Sequence, residues 1–165
     1  MAYEETMSAT DVVFIAAMVT FLAIGFFVIH YTVGTVTDNI VANPTVNSSS
    51  HAVDAFNSMK TVSNRLDYIV FALFIGMSLG LIITGYFVSG YPVFMFFYII
   101  VNMIAVGLSA VFSNVWETFA TNPTLAGSLA SFPITQNLMA YLPYYTGIVG
   151  FIGIVVMYAK PGVSR

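Results

Sequence analysis

The sequence predicts an all-α integral membrane protein with four transmembrane helices and two short interfacial amphipathic helices. Two observations carry this prediction. Four apolar stretches, Val12 to Val33, Ile69 to Val88, Val93 to Phe112 and Tyr144 to Ala159, contain no Asp, Glu, Lys or Arg. In helical form about 20 apolar residues cross the roughly 30 Å hydrocarbon core of a bilayer. Composition agrees: 59% of residues are apolar, 7% are charged and the mean hydropathy is +0.91. An average soluble domain is roughly 25% charged. The 165 residues suit a single transmembrane domain, 1–165. A net charge of −3 spread over so few ionic groups provides no basic patch for nucleic acid or anionic lipid. The absence of Cys excludes disulfides and thiolate metal sites.

The first span is expected over about 12–34, fraying toward Ile40, with Ser8, Thr10 or Asp11 as its cap. The preceding segment carries Glu4 and Glu5 and no Lys or Arg, unlike the positive start of a signal peptide. Asn43-Pro-Thr follows. Asn is a strong N-cap and Pro suits the first helical position, so this tripeptide should open a helix. Val53, Phe56, Met59, Val62 and Leu66 then recur at spacings of three and four. They form the apolar face of an interfacial helix, about 52–65, that lies at the headgroups or runs into the next span.

The second span, about 67–89, ends at Gly90. Pro92 opens the third, about 93–113, through a sharp antiparallel turn. Asn122-Pro-Thr repeats the earlier tripeptide. Leu125, Leu129 and Phe132 mark a second interfacial helix, about 123–132, broken by Pro133. Pro143 opens the fourth span, about 143–159, which stops before Pro161-Gly162. Phe74-Ile75-Gly76 and Phe151-Ile152-Gly153 sit at nearly matching offsets after the two tripeptides. Two readings stand: a duplicated helical hairpin, its copies related by an axis along the membrane normal, or convergence in a biased composition.

Small residues suit close helix approach. Gly76 and Gly80 form a GxxxG pattern in the second span. Ala105, Ser109 and Ser113 recur at four-residue spacing in the third, and Gly147, Gly150 and Gly153 line the fourth. Asn102, near the middle of the third span, should face another helix or a partner subunit, because its amide is costly against lipid tails.

Candidates for chemistry are few. His30 reads as an interfacial side chain and His51 as a solvated one. Asp67 follows Arg65 at the start of the second span, where local pairing or the helix dipole accounts for it. Glu117 lies beside Trp116 at the exit of the third span. Trp belongs at the membrane interface, and Glu117 is placed to cap that surface or to pair with Lys60 or Arg65. With Asn43 and Asn122, these residues form the expected interfacial contacts. Tyr86, Tyr91, Tyr98, Tyr141 and Tyr144 have the composition of an aromatic belt. Lys60 and Arg65 on one side balance Lys160 and Arg165 on the other, so positive charge assigns no orientation.

No catalytic residue, metal ligand or cofactor is expected, and an enzyme is the least supported class. Three classes remain: a structural membrane protein, a holin-like or pore-forming protein, and an accessory subunit of a larger complex. Expected partners are the lipid bilayer, further copies of the chain, or other membrane proteins.

Ser113-Asn-Val-Trp-Glu, Asn122-Pro-Thr, Leu142-Pro and the final Gly-Phe-Ile-Gly-Ile-Val-Val-Met-Tyr-Ala-Lys-Pro resemble small polytopic membrane proteins of tailless bacteriophages with an internal lipid membrane. The resemblance covers the last third of the chain and includes no catalytic signature. It implies a virion component in the bilayer beneath an icosahedral capsid, with polar connections that touch capsid proteins. Localisation is expected in a membrane, the virion's internal membrane or the host cell membrane.

Overall fold

A computed structural model of the chain describes residues 9–87 and 92–158. The acidic N-terminal residues with Ser8, the start of the expected Gly90–Pro92 turn, and the tail with Lys160, Pro161-Gly162 and Arg165 lie outside the described residues. The described elements are helical: α1 Ala9–Val41, α2 Pro44–Asn47, α3 Ser50–Asn64, α4 Leu66–Phe87, α5 Pro92–Ala120, α6 Ala126–Leu129, α7 Pro133–Ala140 and α8 Leu142–Tyr158. Three stretches are long and apolar enough to cross a membrane, within α1, across α3 and α4, and within α5; α7 with α8 makes a fourth if the bent pair is one span.

Helix α1 does not fray at Gly34. It continues to Val41 as 33 residues, about 50 Å at the α-helical rise. Its inward stripe runs Val12, Ala16, Val19, Ala23, Phe27, His30 and Thr37, all buried. That near-heptad spacing is the pattern of left-handed bundle packing. Matching inward stripes are Val70, Phe74, Ser78 and Leu81 on α4, Tyr98, Ala105, Ser109 and Trp116 on α5, and Leu142, Thr146, Gly150, Ile154 and Met157 on α8.

Around the bundle α1 packs on α4 and α5, and α8 packs on the same two helices. Helices α4 and α5, consecutive in the chain, hardly touch and stand diagonally opposed. Among the described residues these two helices do not pack as a hairpin. This arrangement also corrects the symmetry expected of a duplication. A two-fold along the bundle axis exchanges diagonal helices, so it would place α1 opposite α5 and α4 opposite α8. Both pairs are neighbours here. Hairpin α1–α4 lies beside hairpin α5–α8, like helix against like, as by translation.

The interfacial helix expected over 52–65 is present as α3, but it does not stand apart. Ser50–Ile83 forms one continuous stretch, tightened at Arg65, whose N–H donates to Val62 O at 3.0 Å. The helix expected over 123–132 is corrected more strongly. Only the four residues of α6 are helical there, and Pro133 opens α7 instead of breaking a helix. Pro lacks an N–H and has a fixed φ, which suits a first helical position. Helix α8 then leaves α7 at a bend of 68°. Pro143 accounts for the break, since it cannot donate to the carbonyl four residues back and crowds it. At 17 residues, about 25 Å, α8 alone is shorter than the bilayer core, and α7 extends it obliquely.

Candidate functional site

A cluster of linked polar side chains lies where α3 passes into α4, beside the start of α7. Phe56, Lys60, Ser63 and Asp67 follow one another at spacings of four, three and four, so one helix face presents them together.

Asp67 is 2% exposed. Its Oδ2 accepts a hydrogen bond from Ile134 N at 3.0 Å and its Oδ1 one from Thr135 N at 2.6 Å. These N–H groups belong to the first turn of α7, which have no partner within their own helix. Phe132, the residue in the cap position, makes no side-chain cap hydrogen bond. Asp67 thus caps α7 from a distant part of the chain while its charge also suits the start of α4. The expected local pairing with Arg65 is corrected: the carboxylate turns inward to α7, and Arg65 is exposed at the end of α3.

His30 is buried, and its Nδ1 lies 3.1 Å from Ser63 Oγ. The Ser63 hydroxyl donates to Lys60 O at 2.8 Å. With its one proton so placed, the hydroxyl oxygen accepts from His30 Nδ1–H. A Ser–His contact resembles half of a nucleophilic triad, but its wiring differs. The serine proton points at a carbonyl, Asp38 pairs with Lys60, and Asp67 is committed to α7. The contact locks α1 to α3. One turn further on, Lys60 Nζ meets Asp38 Oδ1 at 2.8 Å, joining the same two helices.

Phe132 is fully buried and completes this junction. Its ring lies 5.0 Å from that of His30 and packs edge-on to Phe27 at 5.7 Å, while Phe27 packs edge-on to Trp116 at 5.6 Å. Each aromatic contact of this kind is worth about 0.5–1.5 kcal/mol beyond burial. Trp116, expected at the interface, is 3% exposed and belongs to the core. Glu117 is exposed beside it, and Lys60 pairs with Asp38 in its place.

The two Asn-Pro-Thr tripeptides adopt the same local turn. Asn43 Oδ1 accepts from Thr45 N and Asn122 Oδ1 from Thr124 N, both at 3.0 Å. Asn43 caps α2 directly. After Asn122 the chain turns, and helix resumes only at Ala126.

The packing residues divide in two. Asn102 faces α8, where a Cβ added to Gly150 would overlap its amide, and a Cβ on Gly147 would meet Val106 Cγ2 at 3.4 Å. Asn102 Oδ1 is buried without a hydrogen-bond partner. Ser109 is buried and donates to Val106 O at 2.8 Å, and Gly153 is buried on α8. Gly76 and Gly80 differ. They are exposed, and an added Cβ would meet nothing within 4 Å. As a contact within this chain, the GxxxG pattern is therefore corrected; it faces outward.

Among the described residues no group of three or more His, Asp or Glu is placed to hold a metal ion. An open cleft of about 270 Å³ at the α7–α8 bend is lined by Phe71, Pro133, Ile134, Asn137, Leu138 and Tyr145. The Tyr145 hydroxyl reaches Asn137 Oδ1 across it at 3.4 Å. Compared with known proteins, the chain matches no family, no curated sequence and no solved structure.

Sequence reasoning missed Asp38, Ser63, Thr135 and Phe132. One signal pointed to the α7 cap. Pro133 marks a helix start with Phe132 in the cap position, so a capping group had to come from elsewhere.

Proposed function

We propose that this is a non-enzymatic, four-span structural membrane protein that ties a bilayer to a layer of soluble protein. One observation carries the reading. Helix α1 is about 50 Å long against a hydrocarbon core of roughly 30 Å, and its excess is not a frayed end. Thr35, Thr37, Asp38 and Asn39 make the last turns polar, and the Lys60–Asp38 and His30–Ser63 contacts hold them to α3. The result is a braced polar arm, tipped by α2, on a membrane-anchored bundle. A rigid arm of this kind transmits position between a bilayer and a protein shell better than a loose loop.

The resemblance to membrane proteins of tailless, internal-membrane phages fits the same role. The arm would touch the capsid, and the chain would reside in the virion membrane. A pore-forming role requires a continuous polar passage. The gap between α1, α4 and α8, lined by Val12, Ile15, Phe74, Ser78 and Thr146 among others, is about 10 Å³, room for about one water.

Cross-linking mass spectrometry on the source particle or membrane tests this. The expected result is linkage from Lys60, the one lysine in the arm, to a soluble shell protein, with the chain co-purifying with lipid and shell. Recovery only from host membrane, as an oligomer that conducts ions in planar bilayers, would refute the proposal and support the pore.

A further inference from the structure

The continuous α3–α4 stretch carries a second periodic face. Met59, Val62, Leu66, Ile69 and Leu73 succeed one another at spacings of three and four. The pattern begins at Ala55 and runs on through Gly76, Gly80 and Ile83. It lies one residue around the helix from the inward face of Lys60, Ser63, Asp67, Val70 and Phe74. Apart from Leu66, which is partly buried, every position of this second face is exposed. Met59 is 54% and Val62 65% exposed. We infer that this face is a heptad seam on which a second copy of the same chain packs, α3–α4 against α3–α4, in a parallel two-fold dimer.

Three arguments select a second copy. First, the seam crosses two media. The other exposed positions of α3 are polar, among them Asp54, Asn57, Ser58, Thr61 and Asn64, so Met59 and Val62 extend beyond the reach of lipid tails that would cover Ile69 to Ile83. A helix with the same period covers both parts in one register, which lipid does not. Second, the seam places a small residue, Gly76, where packing within the chain does not require one. An added Cβ at Gly76 would meet nothing within 4 Å, and small residues at such positions let membrane helices approach closely. Third, the dimensions suffice. From Ala55 to Ile83 the seam is about 42 Å long, and one helix diameter is about 10–12 Å. Two such strips bury roughly 850–1,000 Å², reaching the lower bound of a specific interface. Copies inserted in one membrane share an orientation, so a two-fold along the membrane normal sets each seam position against its counterpart. The inference depends on this helix face and not on the tethering role.

The chain contains no Cys, so single-cysteine variants in membrane vesicles report directly. Val62→Cys, Ile69→Cys and Gly76→Cys should form disulfide dimers on mild oxidation. Thr61→Cys, Tyr68→Cys and Ile75→Cys, also exposed but one residue off the seam, should cross-link several-fold less, because a disulfide needs Cα atoms within about 7 Å. By light scattering in mild detergent the chain should have twice its 17.9 kDa mass. Gly76→Leu should be monomeric with unchanged helicity, since a side chain there meets nothing in the fold within 4 Å of its Cβ. Equal cross-linking of the two sets, a monomer throughout, or an intact dimer in Gly76→Leu would overturn the seam.

Discussion

Replacing Asp67 by Ala should destabilise the protein far more than a membrane-surface acid would. The carboxylate is 2% exposed and accepts two backbone hydrogen bonds, at 3.0 and 2.6 Å, from the first turn of α7. A hydrogen bond to a charged group contributes about 1.5–3 kcal/mol net, and Ala leaves two N–H groups without their acceptor. Allowing for partial relaxation, the loss is about 3–5 kcal/mol, in the range found when one partner of a buried charged contact is removed. Asp67→Asn keeps one acceptor but turns an amide N–H toward the other donor, and should cost about 2 kcal/mol. If Asp67 acted only through the dipole of its own helix, either change would cost about 0.3–1 kcal/mol. The assay is thermal unfolding in one detergent or nanodisc preparation. For a domain of this size each kcal/mol moves Tm by about 2–4 °C, so Asp67→Ala should lower Tm by roughly 10 °C. Limited proteolysis should open the 121–141 segment first, because α7 loses its anchor there. A Tm within about 3 °C of the parent, with unchanged cleavage, would refute the capping argument.

Two further predictions concern packing. Gly150→Ala places a methyl group on the Asn102 amide and should cost about 1–3 kcal/mol by overpacking. Asn102→Ala in the same chain should recover much of that loss, whereas Gly107→Ala, whose Cβ would meet nothing within 4 Å, should be harmless; a Gly150→Ala penalty unaffected by Asn102→Ala would count against the contact. Trp116 is the only tryptophan and is 3% exposed, so its fluorescence should be blue-shifted and resist iodide until unfolding, and Trp116→Ala should cost about 3–5 kcal/mol. Red-shifted emission that iodide quenches readily in the folded protein would return Trp116 to the membrane surface.

The local features were legible because their causes are local. The side chains of Asn43 and Asn122 bond to the N–H two residues on, within their own turns, so an Asn-Pro-Thr tripeptide suffices to announce them. Pro143 breaks the helix by its own missing N–H and its own ring. The amphipathic pattern of α3 identified the helix but not the face that packs. Met59 and Val62, read as part of the apolar face of an interfacial helix, are exposed and pack on no other helix of the bundle's core. The face that meets α1 holds Lys60 and Ser63, because α1 offers Asp38 and His30 as partners. A hydrophobicity pattern registers apolar burial and does not register a polar pairing between helices.

By itself the sequence determined that the chain is helical, where its apolar helices lie and that they are long enough to cross a membrane. Uncharged runs of this length have few other solutions, since in lipid each backbone group must be satisfied within its own helix or a closed barrel. Tertiary structure alone decided which side of each helix faces inward. In water an apolar stripe marks the core, but a helix surrounded by lipid is apolar on all sides, so burial and exposure select the same residue types. Trp116 therefore read as interfacial and lies in the core, while Gly76 and Gly80, read as sites of close helix approach within the bundle or an oligomer, face outward. Asp67 shows the same limit for a polar group. Its partners are 67 and 68 residues away in the chain, and only the fold brings the start of α7 to its carboxylate.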